Sequence, residues 1–213
     1  MKIFIYANYP SISNSVYLNL ICGLPPEIKA GLGPSAGGKA KAAAYRMLSG
    51  ALGFTPSISR NAYGKPFLSK EGDPQSAFFN ISHSKTAVAV AVEDETGGEI
   101  GVDVEDFIPE QRLKSLKKAF SSKEMRRKDY AAKFWTLKES YLKCLGTGFS
   151  PPAPPPAKID FSAYAPFQTF SSYDKYFFSM EFKGFHLSAC AGKPFKPLMR
   201  MINEAELNSN NSF

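Results

Sequence analysis

Residues 131–145, AAKFWTLKESYLKCL, constrain the fold of this chain more than any other segment. Phe134, Trp135, Leu137, Tyr141, Leu142 and Leu145 leave almost no polar face, so the spacing predicts a helix covered on nearly all sides and stopped by Gly146. The same turns nevertheless carry Lys138, Glu139 and Lys143. Glu139 and Lys143 stand four residues apart and share a face. On an exposed helix they would be an ordinary ion pair worth about 0.3–0.5 kcal/mol. On a buried helix they must find charged partners or shift their pKa values. A metal for Glu139 and a phosphate for Lys143 would meet that need.

The rest of the chain supplies strands to cover such a helix, which makes the class α+β. Residues 2–9, 78–82, 87–93 (AVAVAVE) and 100–105 read as strands, with 158–161, 176–182 and 184–191 in the second half. A helix is predicted over 39–52, stopped by Gly53, and a basic helical region over 109–130. Ser121 and Glu124 have capping-box spacing within that region. Gly23–Gly38 reads as a mobile loop, 151–156 as a stiff proline connector and 203–213 as a frayed tail. FFNISHSKTAVAVAV at 78–92 has a faint echo in FFSMEFKGFHLSACA at 177–191, which divides the chain into two similar halves, 1–106 and 107–213.

Ile100-Gly101-Val102-Asp103-Val104-Glu105 alternates between two faces. The aliphatic residues face a core. Asp103 and Glu105 share the other face about 7 Å apart, where Gly101 leaves room for a ligand. Two such carboxylates suit Mg²⁺, which commonly keeps water and substrate phosphate in its remaining positions. Taken alone, the pattern fits a half-exposed polar strand equally well. Asn80-Ile81-Ser82-His83-Ser84 offers small hydrogen-bonding groups at a strand end, and with Arg60 and Lys65 upstream they would complete an anion pocket.

Composition narrows the class. The formal charge of +7 admits nucleic acid, an anionic surface, a polyphosphate ligand or an acidic protein as partner. Three cysteines without CxxC spacing argue against a disulfide framework and a zinc site and suit a cytoplasmic protein. No apolar run is long enough to span a membrane, and MKIFIYANYPS reads as a first strand rather than a signal peptide. GxxxxGK[ST], GxGxxG and HExxH strings are absent, and nothing marks a nucleophile elbow.

FNISHS, then GVDVE, FSSKE and WTLKESYLK, with GTGF closing the last motif, occur in one order between about Arg60 and Phe149. This series resembles the Sfp-type 4′-phosphopantetheinyl transferases, the holo-acyl-carrier-protein synthases. The resemblance implies a pseudo-dimer of two α+β halves, monomeric, with coenzyme A in the cleft between them. By motif it implies Asp103, Glu105 and Glu139 as ligands of Mg²⁺ (or Mn²⁺), and Glu139 as general base. Lys143 would meet the pyrophosphate, while Ser82, His83 and Lys65 would contact coenzyme A, the histidine near its 3′-phosphate. Glu124 falls on the family's FSxxE glutamate. The family's basic residues before the first long helix are replaced by GLPPEIKAGLGPSAGGKAK, where Lys39 or Lys41 takes their place.

The implied reaction moves the 4′-phosphopantetheine arm of coenzyme A to a serine of an acidic apo carrier protein, releasing adenosine 3′,5′-bisphosphate. Two other readings stand beside it. An inactive relative would only bind, and a basic nucleic-acid-binding protein would have no use for the carboxylates.

Overall fold

The structure, a computed structural model, describes residues 1–69, 77–93, 98–148, 150–151, 153–164 and 168–209. Phe149 of the GTGF string and Pro152 of the proline run lie outside these residues.

In chain order the elements are β1 (Lys2–Ala7), α1 (Asn14–Cys22), α2 (Pro26–Lys29), α3 (Ala36–Leu52), β2 (Ile58–Arg60), β3 (Pro66–Leu68), β4 (Phe78–His83), β5 (Ala87–Glu93) and β6 (Ile100–Asp106). Then follow α4 (Glu110–Leu116), α5 (Ser122–Met125), α6 (Ala131–Leu145), β7 (Gln168–Ser172), β8 (Lys175–Phe182), β9 (Phe185–Ala191), β10 (Leu198–Met201) and α7 (Glu204–Asn208). The fold is α+β, as expected, and built from two similar halves.

Two four-stranded sheets have the orders β10-β1-β5-β4 and β6-β9-β8-β7. Within them, β1-β5-β4 and β6-β9-β8 are equivalent antiparallel triples, each crossed by a long helix between its first strand and its hairpin. The echo between 78–92 and 177–191 is therefore a repeat of hairpins, β4-β5 and β8-β9. β6, read from sequence as the end of the first half, is the opening strand of the second sheet. Residues 198–208 return to the first half instead of fraying: β10 runs parallel to β1, and Asn203 and Glu206 form a capping box on α7.

Alternation in AVAVAVE explains the layering. Val88, Val90 and Val92 face α3 with Phe4 and Tyr6, while Ala87, Ala89 and Ala91 turn to a second core with Ile3, Ile5, Ile100, Val102 and Val104. Methyl side chains on that face let the two halves approach closely. α6 covers the outer face of the second sheet, and twelve of its fifteen residues are buried.

The region 109–130 is not one helix. It breaks into α4, α5 and two 3-10 turns, with Ser121 and Glu124 forming the expected capping box at the start of α5. No strand forms over 158–161 either; a 3-10 turn, 156–158, replaces its start. The stretch 23–38 holds α2 and the first turn of α3. No helix among the described residues is long and apolar enough to cross a membrane.

Candidate active site

The halves meet where β4 lies beside β6 without pairing to it. Asn80 and Ser82 stand in for a ladder: Asn80 Oδ1 accepts from Val102 N at 2.8 Å and Ser82 Oγ from Val104 N at 3.4 Å. Asp103 therefore points into the seam, where Ser82 Oγ donates to its Oδ1 at 2.7 Å. Lys143, reaching down from α6, donates to the same oxygen at 2.6 Å and to Ser82 Oγ at 2.8 Å. Asp103 Oδ2 is buried without a hydrogen-bond partner.

Around this seam lies a cavity of about 280 Å³ lined by Ile81, Ser82, His83, Asp103, Glu105, Arg112, Trp135, Glu139 and Lys143. Six sequence-predicted residues meet here: Ser82, His83, Asp103, Glu105, Glu139 and Lys143. Lys143 pairs with Asp103 rather than with its helical neighbour Glu139. Glu139 thus faces the cavity with its charge poorly compensated. Burial first, and then the charges of Asp103 and Glu105, push its pKa up to about 7 against the opposing pull of Lys143 and Arg112. Burial likewise raises Glu105, with Asp103 adding to it, although the hydrogen bonds from Arg112 oppose the shift.

The other predicted residues lie elsewhere. Lys65 Nζ donates to the carbonyls of Ile100 at 3.0 Å and Cys144 at 3.1 Å, and burial lowers its pKa. It ties the end of α6 to the start of β6. Lys39 donates to the carbonyls of Pro10 and Ile12, and Arg60 to that of Gly64 at 2.7 Å, within its own turn.

Gly101 does not make room for a ligand. A Cβ there would stand 2.1 Å from Ser140 O and 2.5 Å from Cys144 N, so its bareness is what lets the α6 backbone rest on β6. Lys138, beside Glu139 in sequence, turns away from the cavity to a fully buried ion pair with Glu124 at 2.9 Å. Glu124 also accepts from Ser121 N at 2.8 Å and Phe161 N at 3.0 Å, so the FSxxE glutamate both caps α5 and anchors α6.

Arg112 escapes a sequence reading because it sits in a basic run that looks like a solvated helix face. It forks onto Glu105, Nη1 to Oε2 at 3.0 Å and Nη2 to Oε1 at 2.5 Å. Trp135, in sequence only an apolar helix position, walls the cavity. Among the described residues no group of three His, Cys, Asp or Glu side chains stands close enough to hold a metal ion. The donor chemistry nonetheless fits a hard divalent cation: oxygen donors from three carboxylates line one cavity, and one buried oxygen, Asp103 Oδ2, lacks a partner.

Carboxylates interleaved with cations thus line a cavity set in the seam of two α+β halves. Residues 99–190 match the family model of the 4′-phosphopantetheinyl transferase superfamily. The 4′-phosphopantetheinyl transferase HetI of Nostoc sp. is 32% identical over 117 residues, which cover 49% of this chain and 48% of HetI. The 4′-phosphopantetheinyl transferase Sfp of Bacillus subtilis is 35% identical over 104 residues, covering 45% of this chain and 43% of Sfp. Over residues 99–190 the chain is similar to the 4′-phosphopantetheinyl transferase superfamily. The matches span about half the length of these relatives.

Proposed function

We propose that the protein transfers the 4′-phosphopantetheine arm of coenzyme A to a serine hydroxyl of an apo carrier protein and releases adenosine 3′,5′-bisphosphate. One observation carries this reading above the rest: Asp103, Glu105, Glu139 and Lys143 converge on one cavity at the seam between the halves. An inactive relative would have no need of that convergence.

The serine oxygen forms a new P–O bond to the phosphorus that bears pantetheine, and the bridging P–O bond to the nucleotide breaks. The serine proton passes to Glu139, directly or through water. In the metal-free cavity the Glu139 pKa lies near 7, and a bound cation would lower it, leaving the carboxylate ionised and able to accept a proton at neutral pH. Lys143 supplies fixed positive charge at the pyrophosphate, already oriented by Asp103 and Ser82. Asp103, Glu105 and Glu139 would hold Mg²⁺ (Mn²⁺ in its place), which when bound neutralises the charge developing on the leaving phosphate. His83, exposed at the rim, is suited to a coenzyme A phosphate, and Lys39, Arg60 and Lys65 would reach one by giving up their carbonyl partners. The overall charge of +7 favours an acidic carrier and the polyanionic cofactor together. The protein acts as a monomer in the cytoplasm, where its thiols stay reduced.

The test is incubation with coenzyme A, Mg²⁺ and a panel of apo carrier proteins, read by intact mass. A phosphopantetheine mass gain on at least one carrier is expected, and its absence from every carrier would overturn the reading.

A further inference from the structure

The three carboxylates of the cavity are met by two cations, and four of these five side chains are already paired without a metal, Glu105 with Arg112 and Asp103 with Lys143. Both oxygens of Glu105 are taken by Arg112 and one oxygen of Asp103 by Lys143. A divalent cation entering this cavity would compensate the carboxylates itself. Arg112 and Lys143 would then be surplus positive charge, facing the same space as the phosphates that follow. The two are not equally free to respond. Lys143 stands on the long buried α6 and is held by two partners. Arg112 stands on the seven-residue α4, whose Pro109 N-cap offers no side-chain cap, and its side chain is 40% exposed against 14% for Glu105.

We propose that Arg112 is a displaceable counter-cation for Glu105: it occupies both carboxylate oxygens in the free protein, yields Glu105 to a divalent cation, and passes its guanidinium to the pyrophosphate of the incoming substrate. The inference rests on the cation and pyrophosphate reading of this cavity. Geometry supports it. A guanidinium matches a carboxylate and a phosphate with the same two-pronged fork, so moving from one to the other conserves its hydrogen bonds. Arg112 also lies within the electrostatic reach of Asp103 and Glu139 as well as Glu105, which places it among all three candidate ligands. The arrangement makes cation and phosphate binding mutually reinforcing, since each removes the obstacle to the other.

The alternative is that Arg112 merely holds Glu105 in position for the cation. The two accounts differ in sign. Binding of Mn²⁺ is measured by electron paramagnetic resonance of the free ion, without coenzyme A, for wild type, Arg112→Gln and Arg112→Lys. Removing the competitor should tighten Mn²⁺ binding by Arg112→Gln on the order of three- to tenfold, the scale of a partly exposed charge-assisted pair. Arg112→Lys should fall between it and wild type. Calorimetry at saturating Mg²⁺ should then show coenzyme A bound at least about fivefold more weakly by Arg112→Gln. Unchanged or weaker Mn²⁺ binding by Arg112→Gln, unchanged coenzyme A affinity, or no Mn²⁺ binding by any of the proteins would overturn the inference. If no carrier is modified while the Mn²⁺ result stands, the transfer reading fails and the displacement survives.

Discussion

Glu139 shows how one residue's surroundings set its chemistry. Its carboxyl titrates near 7 in the folded chain against an ordinary value of 4.5, so between these pH values the native state holds more protons than the unfolded one. Stability contributed by this group therefore falls as pH rises from about 4.5 to 7 and is level above that. Glu139→Gln removes the penalty. In EDTA the variant should match wild type near pH 4.5 and exceed it increasingly up to pH 7, measured as urea midpoints across that range. A constant difference between the two proteins would contradict the shift. The motifs WTLKES and GVDVE make Asp103, Glu105, Glu139 and Lys143 legible as a group from sequence alone. Arg112 is not legible in that way, because nothing in a run of basic residues says which one turns inward. Gly101 is misread for a related reason: a glycine kept bare for a neighbouring backbone and one kept bare for a ligand look alike in sequence.

Among the contacts that hold the α6 helix, two can be broken by single substitutions. Gly101→Ala forces its methyl into the carbonyl of Ser140, backbone that cannot swing aside as a side chain would. It should cost about 1–3 kcal/mol or more and displace Glu139 and Lys143 together, seen as a lower thermal midpoint and lost coenzyme A binding. A normal midpoint would mean that α6 has slack. Lys138→Met strands Glu124 as a buried unpaired charge and should cost about 3–5 kcal/mol in urea unfolding. The double variant Glu124→Gln with Lys138→Met should recover a large part of the loss, which a role in packing alone would not allow. Helices with a strong period and a glycine stop, α3 and α6, are legible in the sequence to within a turn. The broken region 109–130 is not, since its turns are settled by where Ser121 and Glu124 find partners, at Asp160 and Phe161, 39 and 37 residues away. The short strands β2, β7 and β10 leave no clear sequence signal because each is defined by the neighbour it pairs with.

At the scale of the whole molecule, the two sheets share an apolar core while their edges β4 and β6 are joined by side chains, and the cavity opens at that join. The hairpin echo makes the duplication legible. That the second half begins with β6, and that the C-terminal residues return to β1, are not legible, because long-range pairing leaves no local mark. The excess of seven positive charges should act over distances limited by salt. Raising ionic strength from about 50 to 200 mM should raise the KM for an acidic carrier severalfold with little change in kcat, and a flat response would remove electrostatic docking from the account.

Transfer at this seam requires Glu139 as the group that accepts the serine proton. The most direct measurement is the initial rate of carrier-protein modification at saturating Mg²⁺ and coenzyme A, wild type against Glu139→Gln. Loss of a general base typically costs 10²–10⁴-fold, so turnover should drop at least about a hundredfold in a variant that is folded and, in EDTA at neutral pH, no less stable than wild type. Near-normal turnover by Glu139→Gln would take the residue out of the mechanism and contradict the account at its centre.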